Sequence, residues 1–72
     1  MSTREARKFG KSLRQVRRQK NITQEELEAR IGAHTGYISR VEAGKKNVSI
    51  TTVLRIAKAL GVDVHFAAER LA

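Results

Sequence analysis

TQEELEARIGAHTGYISRVE, residues 23–42, is the stretch from which the rest of the chain can be read. Thr23 stands before a helical pattern, and Glu26 follows three residues later. That spacing is a capping box, in which each side chain satisfies an orphan amide of the other residue. Leu27 and Ile31 recur four residues apart, so one face of this first helix is apolar. Gly32 comes directly after, and a glycine past a helix end can take the left-handed conformation that reverses the chain. After Gly32-Ala33 a second helical pattern begins, with Ile38 and Val41 on its apolar side. Thr35, Gly36, Tyr37 and Arg40 fall on the other side.

Two short helices across a turn of about three to four residues make a helix-turn-helix, whose second helix can enter a DNA major groove. Working outward, Ala6, Phe9, Leu13 and Val16 recur at three- and four-residue steps between Arg4 and about Lys20, one buried stripe of a longer helix. Ser2 or Thr3 can cap its start. Gly10 inside this pattern costs about 1 kcal/mol relative to Ala, or marks the close approach of another helix. Asn21 ends the helix, because Asn tolerates the left-handed region. Downstream, Gly44 stops the second helix of the pair and Lys45-Lys46-Asn47 begins a basic loop. Ser49 caps a helix over about 50–60, whose apolar set of Ile50, Val53, Leu54, Ile56, Ala57 and Leu60 reads as buried on most of its circumference. Gly61 closes it. Asp63 can cap a fifth helix over 64–71, although the alternation of Val62, Val64 and Phe66 also suits a short strand. The expectation is an all-α, compact five-helix domain over 1–72, with helices at about 4–20, 24–31, 35–42, 50–60 and 64–71.

Composition narrows the function. The 72 residues suffice for one small domain, and at this size only roughly 60% of the unfolded surface is buried, so dimerisation would help. There is no Cys, hence no disulfide framework and no Cys-based zinc site. His34 and His65 lie 31 positions apart, neither among carboxylates at ligand spacing. No catalytic site, metal or cofactor is expected, and no small-molecule substrate. No apolar run approaches the roughly 18 residues of a membrane span, and the start lacks a signal-peptide core, so the expected location is the cytoplasm. Fifteen Lys and Arg against seven Asp and Glu leave a net charge of +8, a field that favours polyanions such as nucleic acid. With only three aromatic residues, the stacking modules that bind single strands are disfavoured.

The run from Leu13 to Val62 resembles the lambdoid Cro/repressor-type helix-turn-helix family. The pieces that carry the resemblance are Leu13-Arg14 with Arg17, Thr23-Gln24-Glu25-Glu26-Leu27, Ile38-Ser39-Arg40-Val41-Glu42, Gly44, and Ala57-Lys58-Ala59-Leu60-Gly61-Val62. Tyr37-Ile38-Ser39 with Lys46-Asn47-Val48-Ser49 looks closest to the controller proteins of restriction–modification systems. The resemblance implies a five-helix DNA-binding fold of prokaryotic or phage type, associated with the nucleoid. It places Thr35, Tyr37 and Arg40 at base-reading positions of the recognition helix. Gln24, His34, Gly36, Lys45, Lys46 and Asn47 fall at backbone-contacting positions, and Arg17 and Glu42 where the family often buries an ion pair. Three positions depart from the pattern. Glu28 replaces the small residue usual at the helix crossing, so it must tilt outward or find an Arg partner. His34 replaces the usual Ser or Thr cap, which weakens that cap. Gly36 gives up a side chain that could read a base edge.

Arg40 is the strongest candidate for readout, since Arg can bond bidentately to guanine O6 and N7. The expected function is a transcriptional regulator, possible as repressor or activator, that binds double-stranded DNA as a homodimer on a pseudo-palindrome. Its interface is expected at Val64, Phe66 and Leu71. Two other readings stand beside it, of which the first keeps the fold. One is an antitoxin whose C-terminal segment binds a partner protein. The other is a basic protein binding duplexes without sequence preference.

Overall fold

The computed structural model describes residues 1–62. Four α-helices occupy this part: α1 (Thr3–Gln19), α2 (Gln24–Ile31), α3 (Tyr37–Glu42) and α4 (Ile50–Leu60), with no strand among the described residues. The expected fifth helix at 64–71, with Val64, Phe66 and Leu71, lies outside the described residues.

Local chemistry accounts for most helix boundaries. Ser2 opens α1 with a capping box. Its Oγ accepts from the Glu5 amide at 3.2 Å, and its own amide donates to Glu5 Oε1 at 2.9 Å. The bond from the Ser2 amide, with the one from its hydroxyl, holds the Glu5 carboxyl below its ordinary pKa of 4.5. Thr23 opens α2 in the same way, its Oγ1 3.0 Å from the Glu26 amide. Ser49 caps α4 through the Thr52 amide. At the other ends, all four helices close in the Schellman pattern, each with a left-handed residue after the last turn: Asn21, Gly32, Gly44 and Gly61. α1 therefore runs 3–19 rather than 4–20.

The core is one cluster. Phe9, Leu13 and Val16 from α1 meet Leu27 and Ile31 from α2, Ile38 and Val41 from α3, and Val53, Ile56 and Leu60 from α4. Ile22 and Val48 seal it from the connectors. Leu27, Ile38 and Val53 are wholly inaccessible, and full burial of such a side chain stabilises by about 1.5–3 kcal/mol. Two expectations change here. Ile50 is 60% exposed, because it is the first residue of α4 and lies off the packed side. Leu54 is only half-buried, so α4 presents one face inward, not most of its circumference. Gly10 does mark a close approach. A Cβ there would overlap the carbonyl oxygens of Val41 and Glu42, so α1 crosses backbone-to-backbone over the end of α3.

Candidate nucleic-acid interface

The short helix α3 carries the candidate reading face, and three contacts hold it. At its C-terminal end Arg17 of α1 donates to both Glu42 oxygens, Nε to Oε2 at 2.6 Å and Nη2 to Oε1 at 3.1 Å. Both side chains are under 10% exposed. The third guanidinium nitrogen donates to the Ile22 carbonyl at 2.8 Å, and the Glu42 bond raises the Arg17 pKa further. Gln24, the first residue of α2, adds a bond from Nε2 to Glu42 Oε1 at 3.1 Å. The network thus fastens α1, the connector, the start of α2 and the end of α3 together. It also fixes the Gln24 amide at the surface beside the N-terminus of α2.

The N-terminal end is held by a residue that the sequence reading places otherwise. Glu28 neither tilts outward nor meets an arginine. It is 5% exposed, and its Oε2 accepts from the amides of Gly36 at 3.0 Å and Ile38 at 3.1 Å. The reason is that α3 begins at Tyr37, not at 35, and its N-cap residue Gly36 has no side chain with which to cap. The orphan amides of the first turn need an acceptor, and a carboxylate needs donors once it leaves water. Each solves the other's problem across the turn. Gly36 makes this geometry available, since its φ of +90° lies where L side chains are strained. His34 is accordingly not the cap. It contributes its carbonyl to the Tyr37 amide, and its ring stands edge-on to Tyr37 at 5.7 Å between centroids.

Between these two anchors, Thr35, Ser39 and Arg40 are exposed. The exposed side chain of Arg40 makes no hydrogen bond or ion pair with any described residue. Ser39, not among the residues expected from the sequence, shares this exposed face. Its signal was the helical spacing, because positions 36, 39, 40 and 43 share the side opposite Ile38 and Val41. Tyr37 sits at the edge of this face, half-buried against the core. The Lys46 ammonium lies 5.4 Å from its ring centroid, a cation–π distance. That contact draws the loop after α3 toward the N-terminal end of the helix. Lys45 and Asn47 are exposed beside it. Gly44, at φ +72°, lies so close over Arg7 that a Cβ would fall 2.6 Å from its Cγ.

The assembled surface is an exposed helix face flanked by the start of α2 on one side and a basic loop on the other. Among the described residues no group of three or more His, Asp or Glu could hold a metal ion. No described helix is long and apolar enough to cross a membrane.

Comparison with known proteins agrees with this geometry. A family model described as helix-turn-helix matches residues 13–66. The control protein C.BamHI of Bacillus amyloliquefaciens is 46% identical over 56 residues, covering 76% of this chain and 69% of that one. Among solved structures, the restriction–modification controller protein C.AhdI from Aeromonas hydrophila superposes with a TM-score of 0.79 at 34% identity, over 93% of this chain and 96% of that chain. The clp gene regulator ClgR from Corynebacterium glutamicum superposes with a TM-score of 0.85 at 30% identity, over 93% of this chain and 71% of the other.

Proposed function

The chain belongs to the helix-turn-helix family of transcriptional regulators, and from that premise we propose that it reads a specific double-stranded DNA operator as a homodimer. The observation that carries the reading is the exposed Arg40, without a side-chain partner among the described residues, on a helix bonded at both ends. The mechanism is docking without chemistry. Gln24, Lys45, Lys46 and Asn47 engage phosphates and set the register with His34 at the turn, whereas the expected Gly36 backbone contact is displaced because its N–H is already committed to Glu28. Thr35, Ser39 and Arg40 then reach base edges in the major groove, with Tyr37 at the rim.

Six residues of recognition helix contact few base pairs, so one protomer has limited specificity. Two protomers on half-sites about one helical turn apart supply the rest. The similarity to control proteins favours regulation of a restriction–modification operon, with protein concentration setting occupancy through dimerisation. Selection of bound duplexes from a random pool at about 150 mM salt tests this, because non-specific binding is weakened there. A symmetric consensus of two half-sites is the expected result. A single enriched half-site removes the dimer, and no enrichment removes specific recognition altogether.

A further inference from the structure

The positive charge of the chain does not reside in the helix-turn-helix. Residues 23–42 hold Glu25, Glu26, Glu28 and Glu42 against Arg30 and Arg40, a net of −2. By contrast, α1 holds seven of the fifteen Lys and Arg residues against a single acid, Glu5, and so carries +6 of the net +8. The field that brings this protein to a polyanion originates mainly in a helix to which the reading above gives no contact with the ligand.

These cations are not spread evenly around α1. The buried side comprises Ala6, Phe9, Gly10, Leu13, Val16 and Arg17. Arg7, Lys11, Arg14 and Arg18 recur at steps of four, three and four residues, which places them in one row bordering the Gly10–Arg17 edge of that side. The flank beside Phe9 and Val16 carries instead Glu5, Ser12 and Gln19. The Gly10–Arg17 edge is the one that abuts the end of α3, through the Val41 and Glu42 carbonyls and the Arg17–Glu42 pair. At one end of the row Arg7 packs under Gly44, next to the Lys45-Lys46 loop. At the other, Arg14 and Arg18 line a surface cleft with Arg17 and with Thr23, Gln24 and Glu25 at the start of α2, three cations against one carboxylate. All four cations are exposed, and none pairs with a described residue.

We propose that the row Arg7–Lys11–Arg14–Arg18 is a second docking surface for the sugar–phosphate backbone of the duplex held by α3, lying along phosphates that flank the half-site. The inference rests on the DNA-binding reading and extends the footprint of each protomer beyond the base pairs that α3 reaches. A row of this length spans about 16 Å at the helical rise, against which a duplex presents roughly one charge per 1.7 Å of axis. The row joins the two elements already assigned to phosphates, the start of α2 and the loop after α3, into one cationic border. It contributes affinity and orientation without sequence preference.

The test compares wild-type protein with the triple variant Lys11→Gln, Arg14→Gln, Arg18→Gln. The probes are the selected consensus duplex trimmed to its half-sites and the same duplex with about ten further base pairs on each side. Gln is a good helix former and all three positions are exposed, so circular dichroism should show an unchanged fold. A control variant, Lys20→Gln with Lys58→Gln, removes exposed charge away from the row. On the long duplex the triple variant should lower the slope of log K against log salt by about 2.7, at ~0.9 for each lost contact. The wild-type advantage then shrinks about 40-fold between 50 and 200 mM salt, on the same slope. On the trimmed duplex the difference should be much smaller, and the control should leave both slopes unchanged. Each single variant should account for about one third of the effect.

Equal slopes for wild type and triple variant on the long duplex would overturn the surface while leaving DNA recognition intact. A control that lowers the slope as much per charge would overturn it too, since the charge would then act only through the overall field. Wild-type protein that binds no duplex would remove the DNA-binding reading, and this surface with it.

Discussion

Glu28→Ala is the most discriminating perturbation of this fold. The carboxylate lost is the sole side-chain cap of α3 among the described residues, and its removal strands two amides. Gly36 is half-buried, so its N–H can turn to water after truncation. Ile38 is wholly buried, so its N–H cannot. One stranded buried donor costs about 1–3 kcal/mol, and loss of an N-cap roughly 1 kcal/mol more. The total of about 2–4 kcal/mol is a large part of the ~4–11 kcal/mol that a chain of this size commands. At about 4–8 °C per kcal/mol, the melting temperature should fall by roughly 8–32 °C. Glu28→Gln keeps a carbonyl oxygen at the same reach and should lose less than half as much. Thermal unfolding followed by circular dichroism measures both. The sign is informative, because the family resemblance puts a small residue at this position and on that basis alone expects alanine to be harmless. An alanine variant melting within about 3 °C of wild type, or a glutamine variant less stable than alanine, would refute the capping argument.

Four further outcomes are expected. Arg40→Ala should flatten preference at one base position, by about 1–3 kcal/mol, while Lys46→Ala should weaken all duplexes alike and reduce the salt slope by about 1; competition binding on specific and random DNA separates the two. Glu42→Ala should destabilise by about 3–5 kcal/mol, because it leaves the Arg17 guanidinium buried without its carboxylate, and an unchanged denaturant midpoint would count against that. Gly10→Ala should lower stability by about 1–3 kcal/mol despite the better helix propensity of alanine, since the added Cβ meets two carbonyl oxygens of α3; a raised melting temperature would show that the crossing can open. The folded pKa of Glu5 is depressed, so its stabilisation is present above its ordinary value of 4.5 and lost as pH falls through the lowered one. Glu5→Gln should therefore melt with a shallower acid dependence below about pH 4.5 than wild type does.

What the sequence by itself determined is what depends on atoms within a few residues of one another. The Thr23–Glu26 box, the left-handed Asn21 and Gly32, and the three- and four-residue recurrence of Phe9, Leu13 and Val16 are such features. Their hydrogen bonds and burial faces follow from helix geometry alone, so spacing suffices to read them. The exposed side of Ser39 is equally readable from spacing. The tertiary structure decided the rest. Whether position 28 faces solvent, an arginine or the amides of α3 depends on how α2 and α3 cross, and the bonded amides lie eight and ten residues further along the chain. That α3 begins at Tyr37 and finds its cap in Glu28 is likewise visible only in the tertiary structure. Gly10 is read as a contact only once Val41 and Glu42 lie against it. The direction of the Arg7–Arg18 row is likewise a property of packing. Helical periodicity places four cations on one flank, but only the crossing of α1 over the end of α3 turns that flank toward the recognition helix.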